Sequence, residues 1–169
     1  MRLAATSIDN TAHADLVVKA ERWLRQQGCG VAISDRFRAH AINGEYPDAI
    51  GWRSGVSIQV ECKVSRADFL ADKHKPFRAD PAKGMGDWRF YLCPPDIIQV
   101  EDLPAGWGLL WATPRTIRRM HGVPGNCQWR RDKPFEPCLR SESMMLVSAL
   151  RRMEIRGHLG EIYEGIPKA

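Results

Sequence analysis

The chain has 169 residues, with 25 lysines and arginines against 20 aspartates and glutamates, for a formal net charge of +5. That length is one domain with a sizeable core, and the 44% hydrophobic content is that of a globular protein. No stretch reaches the length of a membrane span and residues 1–6 lack the apolar run of a signal peptide, which sets the expectation of a cytoplasmic protein.

Residues 12–27 read as a first helix. Leu16, Val17, Ala20, Trp23 and Leu24 form one apolar stripe, Asn10 or Thr11 caps the start, and Gly28 or Gly30 the end. Glu21 sits on the edge of the stripe beside Val17, where it either reaches an adjoining cleft or is an ordinary solvated helix residue. Residues 31–37 suit a short strand, and 40–45 a polar loop.

Residues 46–52 and 56–64 are the most informative. Val56, Ile58 and Val60 alternate with Ser57, Gln59 and Glu61, the pattern of a half-buried strand. Closure of a hairpin near 53–55 brings Asp48 toward Glu61. Glu61 and Lys63, two apart, share a face. Two carboxylates there can hold a hard divalent cation, and Lys63 can orient or activate a water beside it. A cross-strand ion pair on a solvated face accounts for Glu61 and Lys63 equally well from spacing alone.

Ser65 caps a second helix, with Asp68 three residues on, and Pro76 ends or kinks it near Lys75. Phe69 and Leu70 supply its buried side. Lys73, His74, Lys75, Arg78 and Lys83 line its exposed side and exit. Residues 88–93 alternate as a strand stopped by Pro94-Pro95, and 106–112 form a more continuous apolar strand. Residues 113–138 have no clear period and read as irregular; Trp129, amid Arg130, Arg131 and Lys133, is a candidate for stacking on a base. A last helix spans 141–156, with Met145, Leu146, Ala149, Leu150 and Met153 inward and Arg151, Arg152 and Arg156 near its C-terminal end, where they complement the helix dipole.

Charge divides the chain at about the same place. Residues 1–112 carry 14 basic and 14 acidic side chains, whereas 113–169 carry 11 and 6, so the whole excess is C-terminal. A basic excess suits a polyanionic partner. The five cysteines, Cys29, Cys62, Cys93, Cys127 and Cys138, are odd in number and without a paired short spacing, which suits reduced thiols. The expected organisation is a core over 1–112 and a basic extension with one helix over 113–169, packed on that core.

Pro47-Asp48, followed a dozen residues later by Glu61-Cys62-Lys63, resembles the PD-(D/E)xK nuclease superfamily. The run from Glu61 to Lys73, with Arg89-Phe90-Tyr91 after it, resembles the MmcB-like DNA-repair proteins and related phage or prophage proteins within it. The resemblance covers about 11–112. It implies an α/β fold with a restriction-endonuclease-like core, α-β-β-β-α-β: a mixed central sheet flanked by helices, followed here by the C-terminal helical extension. It also implies a Mg²⁺- or Mn²⁺-dependent deoxyribonuclease in repair, recombination or phage DNA processing. Asp48 and Glu61 would be metal ligands, joined by the backbone carbonyl of Cys62, whose side chain faces the core. Lys63 would be the catalytic lysine, and Glu21 the acidic residue that a helix places over the site, with Glu45 as its competitor. Arg66, Lys73, Lys75 and Arg78 would hold the phosphate backbone. The alternative is a non-cleaving nucleic-acid-binding module that kept the fold. Nothing in the sequence sets the oligomeric state, a homodimer included.

Overall fold

Six strands form one mixed sheet whose spatial order follows the chain, β1 to β6. The structure, a computed structural model, describes residues 3–37, 41–42 and 44–165, with side chains from Asn10 onward. The elements are α1 (Leu3–Gln26), β1 (Val31–Ser34), β2 (Ala49–Arg53), β3 (Val56–Cys62), α2 (Arg66–Asp72), α3 (Pro76–Ala79), β4 (Trp88–Cys93), β5 (Gly108–Ala112), β6 (Ile117–His121), α4 (Gln128–Arg131) and α5 (Leu139–Ile155). The α/β class and the α-β-β-β-α-β order are as expected, and the first helix begins well before residue 12. Among the described residues no helix is long and apolar enough to cross a membrane.

β1, β2 and β3 pair antiparallel, and β3, β4 and β5 run parallel. The β2–β3 hairpin closes where expected, with Arg53 opposite Val56 and Ser54 and Gly55 both at positive φ. Two such residues make the turn whose twist matches the flanking strands, and glycine adopts it without steric cost.

Alternation along the strands divides the core. Ile58, Val60, Cys62, Phe90, Leu92 and Leu110 pack beneath Leu16, Val17, Ala20, Trp23 and Leu24 of α1. Gly51 leaves room for the end of α1 and the turn after it: a Cβ there would stand 2.8 Å from Cys29 Sγ and 3.3 Å from Leu24 Cβ. The opposite face holds Tyr91, Leu109 and Trp107 against Phe69 of α2, and Ile50 and Met85 against Met145 of α5. The result is a three-layer sandwich with the β3 carboxylate on the α2 side.

Three expectations need correction. Residues 113–138 are not all irregular, because β6 pairs antiparallel with β5 across a bulge at Leu109/Leu110. The sheet therefore continues past residue 112, and the compositional boundary there is not a structural one. Trp129 is buried, edge-on to Trp88, and its backbone carbonyl accepts the Trp88 Nε1–H at 2.9 Å, so it is core and not a base-stacking platform. In α5, Met145 is buried, but Leu150 and Met153 are exposed. The first turn anchors this helix: Glu142, itself buried, accepts from Trp52 Nε1 (3.0 Å), Ser57 Oγ (2.8 Å) and Gly86 N–H (2.8 Å).

Candidate functional site

Asp48 precedes β2 and Glu61 ends the polar face of β3. The register that sets Ala49 opposite Val60 brings Asp48 to the level of Glu61. Asp48 Oδ2 accepts the Cys62 backbone N–H at 2.7 Å, which fixes the carboxylate at the strand end. Lys63 follows on the same face as Glu61, with Nζ 3.6 Å from Glu61 Oε2. The structure thus brings Asp48, Glu61 and Lys63 together. The Cys62 side chain points to the opposite, α1-covered face, as expected, and burial followed by the charges of Asp48 and Glu61 pushes its thiol well above the ordinary value. A protonated thiol facing the core is not a ligand.

Burial raises the Glu61 carboxyl to about 7, and the Asp48 charge adds to this; Arg78, Lys63 and Lys75 pull the other way. The effect of Asp48 marks two carboxylates sharing one region. Lys63 is held above its ordinary value: Glu61, Asp72, Asp68 and Asp48 together outweigh the desolvation that is its largest single influence. It is therefore an ammonium at neutral pH.

Asp72, from the last turn of α2, anchors the cations around Glu61. Fully buried, it accepts from Lys63 Nζ (3.1 Å), Arg78 Nε (2.7 Å) and Tyr91 OH (2.8 Å), and Lys75 Nζ lies 2.6 Å away. Its carboxyl is held well below the usual range: Arg78 and Lys63 overcome its desolvation. Glu45 completes the network, accepting from Gln59 Nε2 (2.7 Å), Arg78 Nη1 (2.9 Å) and Met85 N–H (2.7 Å). Gln59 Nε2 also donates to Glu61 Oε1 at 2.8 Å. Glu45, Glu61 and Asp72 are thus balanced by Lys63, Lys75 and Arg78.

The balance fails on the α1 side of Asp48. His13 Nε2 stands 3.3 Å from Asp48 Oδ1, and its Nδ1 is 4.0 Å from Asp35 Oδ2. One ligand atom from each of His13, Asp35 and Asp48 lies within 4.8 Å of the others, an arrangement able to hold a metal ion. The hydrogen bond to Asp48 outweighs burial and raises the His13 pKa. Sequence reasoning missed His13 and Asp35. A signal existed for the first: His13 extends the stripe of Val17 and Ala20 by one turn.

Glu21 is elsewhere. Eight residues along α1 from His13, about 12 Å at helical rise, it pairs with Arg25 Nη2 and Arg36 Nη2, each at 2.8 Å. Those arginines lower its pKa against its desolvation. It does not join Asp48 and Glu61, and Glu45, its expected competitor, does reach the Glu61 network through Gln59 and Arg78.

The expected phosphate contacts divide. Arg78 is buried against Glu45, Glu61 and Asp72 and lies over the Trp107 ring at 4.5 Å, so it faces inward. Arg66 is paired with Asp102. Lys75 turns toward Asp72 and Glu61. Lys73, exposed and 5.4 Å from the Phe69 ring, carries no ion pair among the described residues. Of the four, Arg66 and Lys73 are exposed, Lys75 is half-buried and the Arg78 side chain is buried.

No protein-family model matches the chain, and no curated protein matches it. Among solved structures, the SPO1766 protein of unknown function from Silicibacter pomeroyi matches with a TM-score of 0.53 at 24% sequence identity, covering 90% of this chain and 94% of that one. The likeness shows a shared α/β fold.

Proposed function

We propose that this protein is a divalent-metal-dependent deoxyribonuclease of the PD-(D/E)xK type, similar to the MmcB-like DNA-repair and phage proteins. The observation that carries the reading is the convergence of Asp48, Glu61 and Lys63 at one strand end, with the Asp48 charge acting on Glu61. The donor chemistry fits a cation. Two carboxylates repel unless one is bound, and oxygen donors suit Mg²⁺ or Mn²⁺. Asp48 and Glu61 would hold it, with the Cys62 carbonyl, and His13 and Asp35 adjoin Asp48. A cation there supplies Lewis acidity and charge neutralisation to a phosphodiester. Lys63, kept as an ammonium, stabilises negative charge developing on the phosphoryl oxygens and is not a proton acceptor in this state. Asp72 is a positioning residue that fixes the Lys63 amine.

One observation favours a second reading, a nucleic-acid-binding module without cleavage. Glu61 already has Arg78 Nη2 at 3.3 Å, Lys63 at 3.6 Å and Lys75 at 3.9 Å, an internal set of cations able to neutralise it without metal. Incubation with duplex, single-stranded and branched DNA, with Mg²⁺, Mn²⁺ or EDTA, separates the two. The nuclease reading expects cleavage with metal only, abolished by Asp48→Ala and by Glu61→Ala. Cleavage that persists in EDTA or survives both substitutions overturns the site; binding without cleavage under every metal condition supports the second reading.

A further inference from the structure

The cations first expected to hold DNA mostly face carboxylates: Lys75 and Arg78 face Asp72, and Arg66 faces Asp102. A second basic surface lies at the β6 edge of the sheet, on its α1 side. A cavity of about 160 Å³ opens there between α1 and the turn that joins β5 to β6. Lys19, Arg22 and Arg115 line it, and no acidic side chain does. Asp15, one turn before Lys19 on α1, is exposed and outside the lining. Lys19 and Arg22, three apart, share one helix face. Lys19 Nζ donates to the Thr113 carbonyl at 3.1 Å, a neutral acceptor that leaves two of its N–H groups. Among the described residues, the exposed Arg22 and Arg115 make no ion pair or hydrogen bond through their side chains. The turn that carries Arg115 is braced. Thr113 N–H and Oγ1 both donate to the Thr116 carbonyl, at 2.9 and 2.7 Å, and Thr116 N–H donates to Thr113 Oγ1 at 3.0 Å. Arg119, two residues past Ile117 and so on the same face of β6, extends the charge along the edge; its guanidinium donates to the neutral Gln27 Oε1 at 3.3 Å.

An edge strand often carries cations that block pairing with another sheet. That accounts for Arg118 and Arg119 on β6, but not for Lys19 and Arg22, which come from α1 and converge on the turn. Cations gathered without a counter-charge repel one another, and a bound polyanion relieves this. The surface also faces the candidate site's end of the sheet. Cys62, Leu92 and Leu110 stand level across β3, β4 and β5. The chain therefore leaves β5 toward this turn at the same end at which it leaves β3 toward Lys63, two strand spacings or about 10 Å to the side. The cavity offers no exposed ring to an unstacked base, because Trp23 in its lining is buried. We propose that this surface binds the phosphate backbone of duplex DNA through Lys19, Arg22 and Arg115, with Arg119 beside them, and holds the duplex alongside the Asp48 end of β3. The last clause rests on the nuclease reading, and the binding does not.

The test is fluorescence anisotropy with a short labelled duplex in EDTA, over a salt series. Arg22→Gln with Arg115→Gln is expected to weaken binding at least tenfold at about 0.1 M salt and to reduce the salt slope by about 1.8, since each phosphate contact on a duplex contributes about 0.9. Arg130→Gln with Arg131→Gln removes the same charge from exposed positions on α4, whose Trp129 packs on Trp88 at the opposite end of β4. That variant is expected to keep the wild-type slope. Unchanged affinity and slope in the Arg22/Arg115 variant overturn the proposal. Equal losses in the two variants also overturn it, because net charge alone then explains binding. A single strand held through Arg22 and Arg115 as tightly as the duplex overturns the duplex assignment. A wild-type protein that binds the duplex through these residues but cuts no DNA with Mg²⁺ or Mn²⁺ sinks the nuclease reading and leaves this surface standing. Metal-dependent cleavage together with an unchanged slope in the Arg22/Arg115 variant does the reverse.

Discussion

Replacing Asp72 with asparagine removes one charge and almost no volume, so it isolates the electrostatic role of the residue that holds Lys63. The wild-type carboxylate meets Lys63, Lys75, Arg78 and Tyr91 at 2.6–3.1 Å and is wholly shielded from water. Asparagine turns one oxygen into an N–H donor, which then faces a donor. Lys63 and Arg78 would be left with Glu61 and Glu45 as counter-charges. Lys75 is partly exposed, so its share is small after screening. Breaking a buried ion pair from one side costs about 3–5 kcal/mol. At about 2–4 °C per kcal/mol for a chain of this size, Tm should fall by about 12 °C. Urea unfolding at pH 7 measures the free energy directly. The pH dependence supplies a second check. A carboxyl held below its unfolded value of about 3.9 contributes stability that is complete above about pH 5 and is lost as pH falls through the folded pKa. The gap between wild type and variant should therefore be flat from pH 8 to 5 and narrow below pH 4. A loss under about 1 kcal/mol at pH 7, or a gap that keeps its size down to the lowest pH at which both proteins fold, would refute the reasoning.

Other outcomes follow from the site. Glu21→Ala should leave cleavage and metal affinity unchanged and cost about 1 kcal/mol or less, because its arginine partners are largely exposed; a loss of turnover would return Glu21 to the site. Because the Glu61 carboxyl is raised to about 7, metal must displace a proton there, so affinity measured by calorimetry should rise with pH up to about tenfold per unit and level off above 7. If affinity is flat from pH 5 to 8, Glu61 does not bind the cation. An imidazole beside Asp48 favours a first-row transition ion over Mg²⁺, so Mn²⁺ should support faster cleavage than Mg²⁺, and His13→Ala should remove that advantage. Thiol labelling in the native state should modify Cys127 and spare Cys29, Cys62 and Cys93, which are buried; labelling of all five at one rate would contradict the core described here.

The hairpin was readable because Val56 to Glu61 alternate apolar and polar side chains next to the apolar run 49–52, with a short turn between them; once it closes, Asp48 meets Glu61 by register alone. The α2 cap was equally legible, since Ser65 Oγ accepts the Asp68 N–H at 3.2 Å. β6 was not, because Ile117 and Met120 are three apart, the intervening arginines are exposed, and a bulge breaks the pairing. The failure at Glu21 has a different cause. The edge of a helical stripe gives a bearing around the axis but not a position along it, and His13, the residue that does reach Asp48, lies about two turns before Glu21. Nor does sequence separate a basic side chain that faces solvent from one turned inward: Lys73 and Arg78 flank the same short turn, one exposed and one buried. The difference arises from Asp72, whose buried carboxylate draws Arg78 and Lys75 in.

The Glu142 anchor has a mechanical consequence. Its three hydrogen bonds fasten one end of α5 to β2, β3 and the Gly86 turn, whereas Val147, Leu150 and Ile155 farther along stand open to solvent. The helix is a beam clamped at one end. Amides near Met145 should exchange with deuterium nearly as slowly as those of the sheet, and amides beyond Leu150 far faster. Arg152 lies beyond the clamp, where its guanidinium over the Phe37 ring, 4.3 Å from the centroid, is a contact between that half of the helix and the segment after β1.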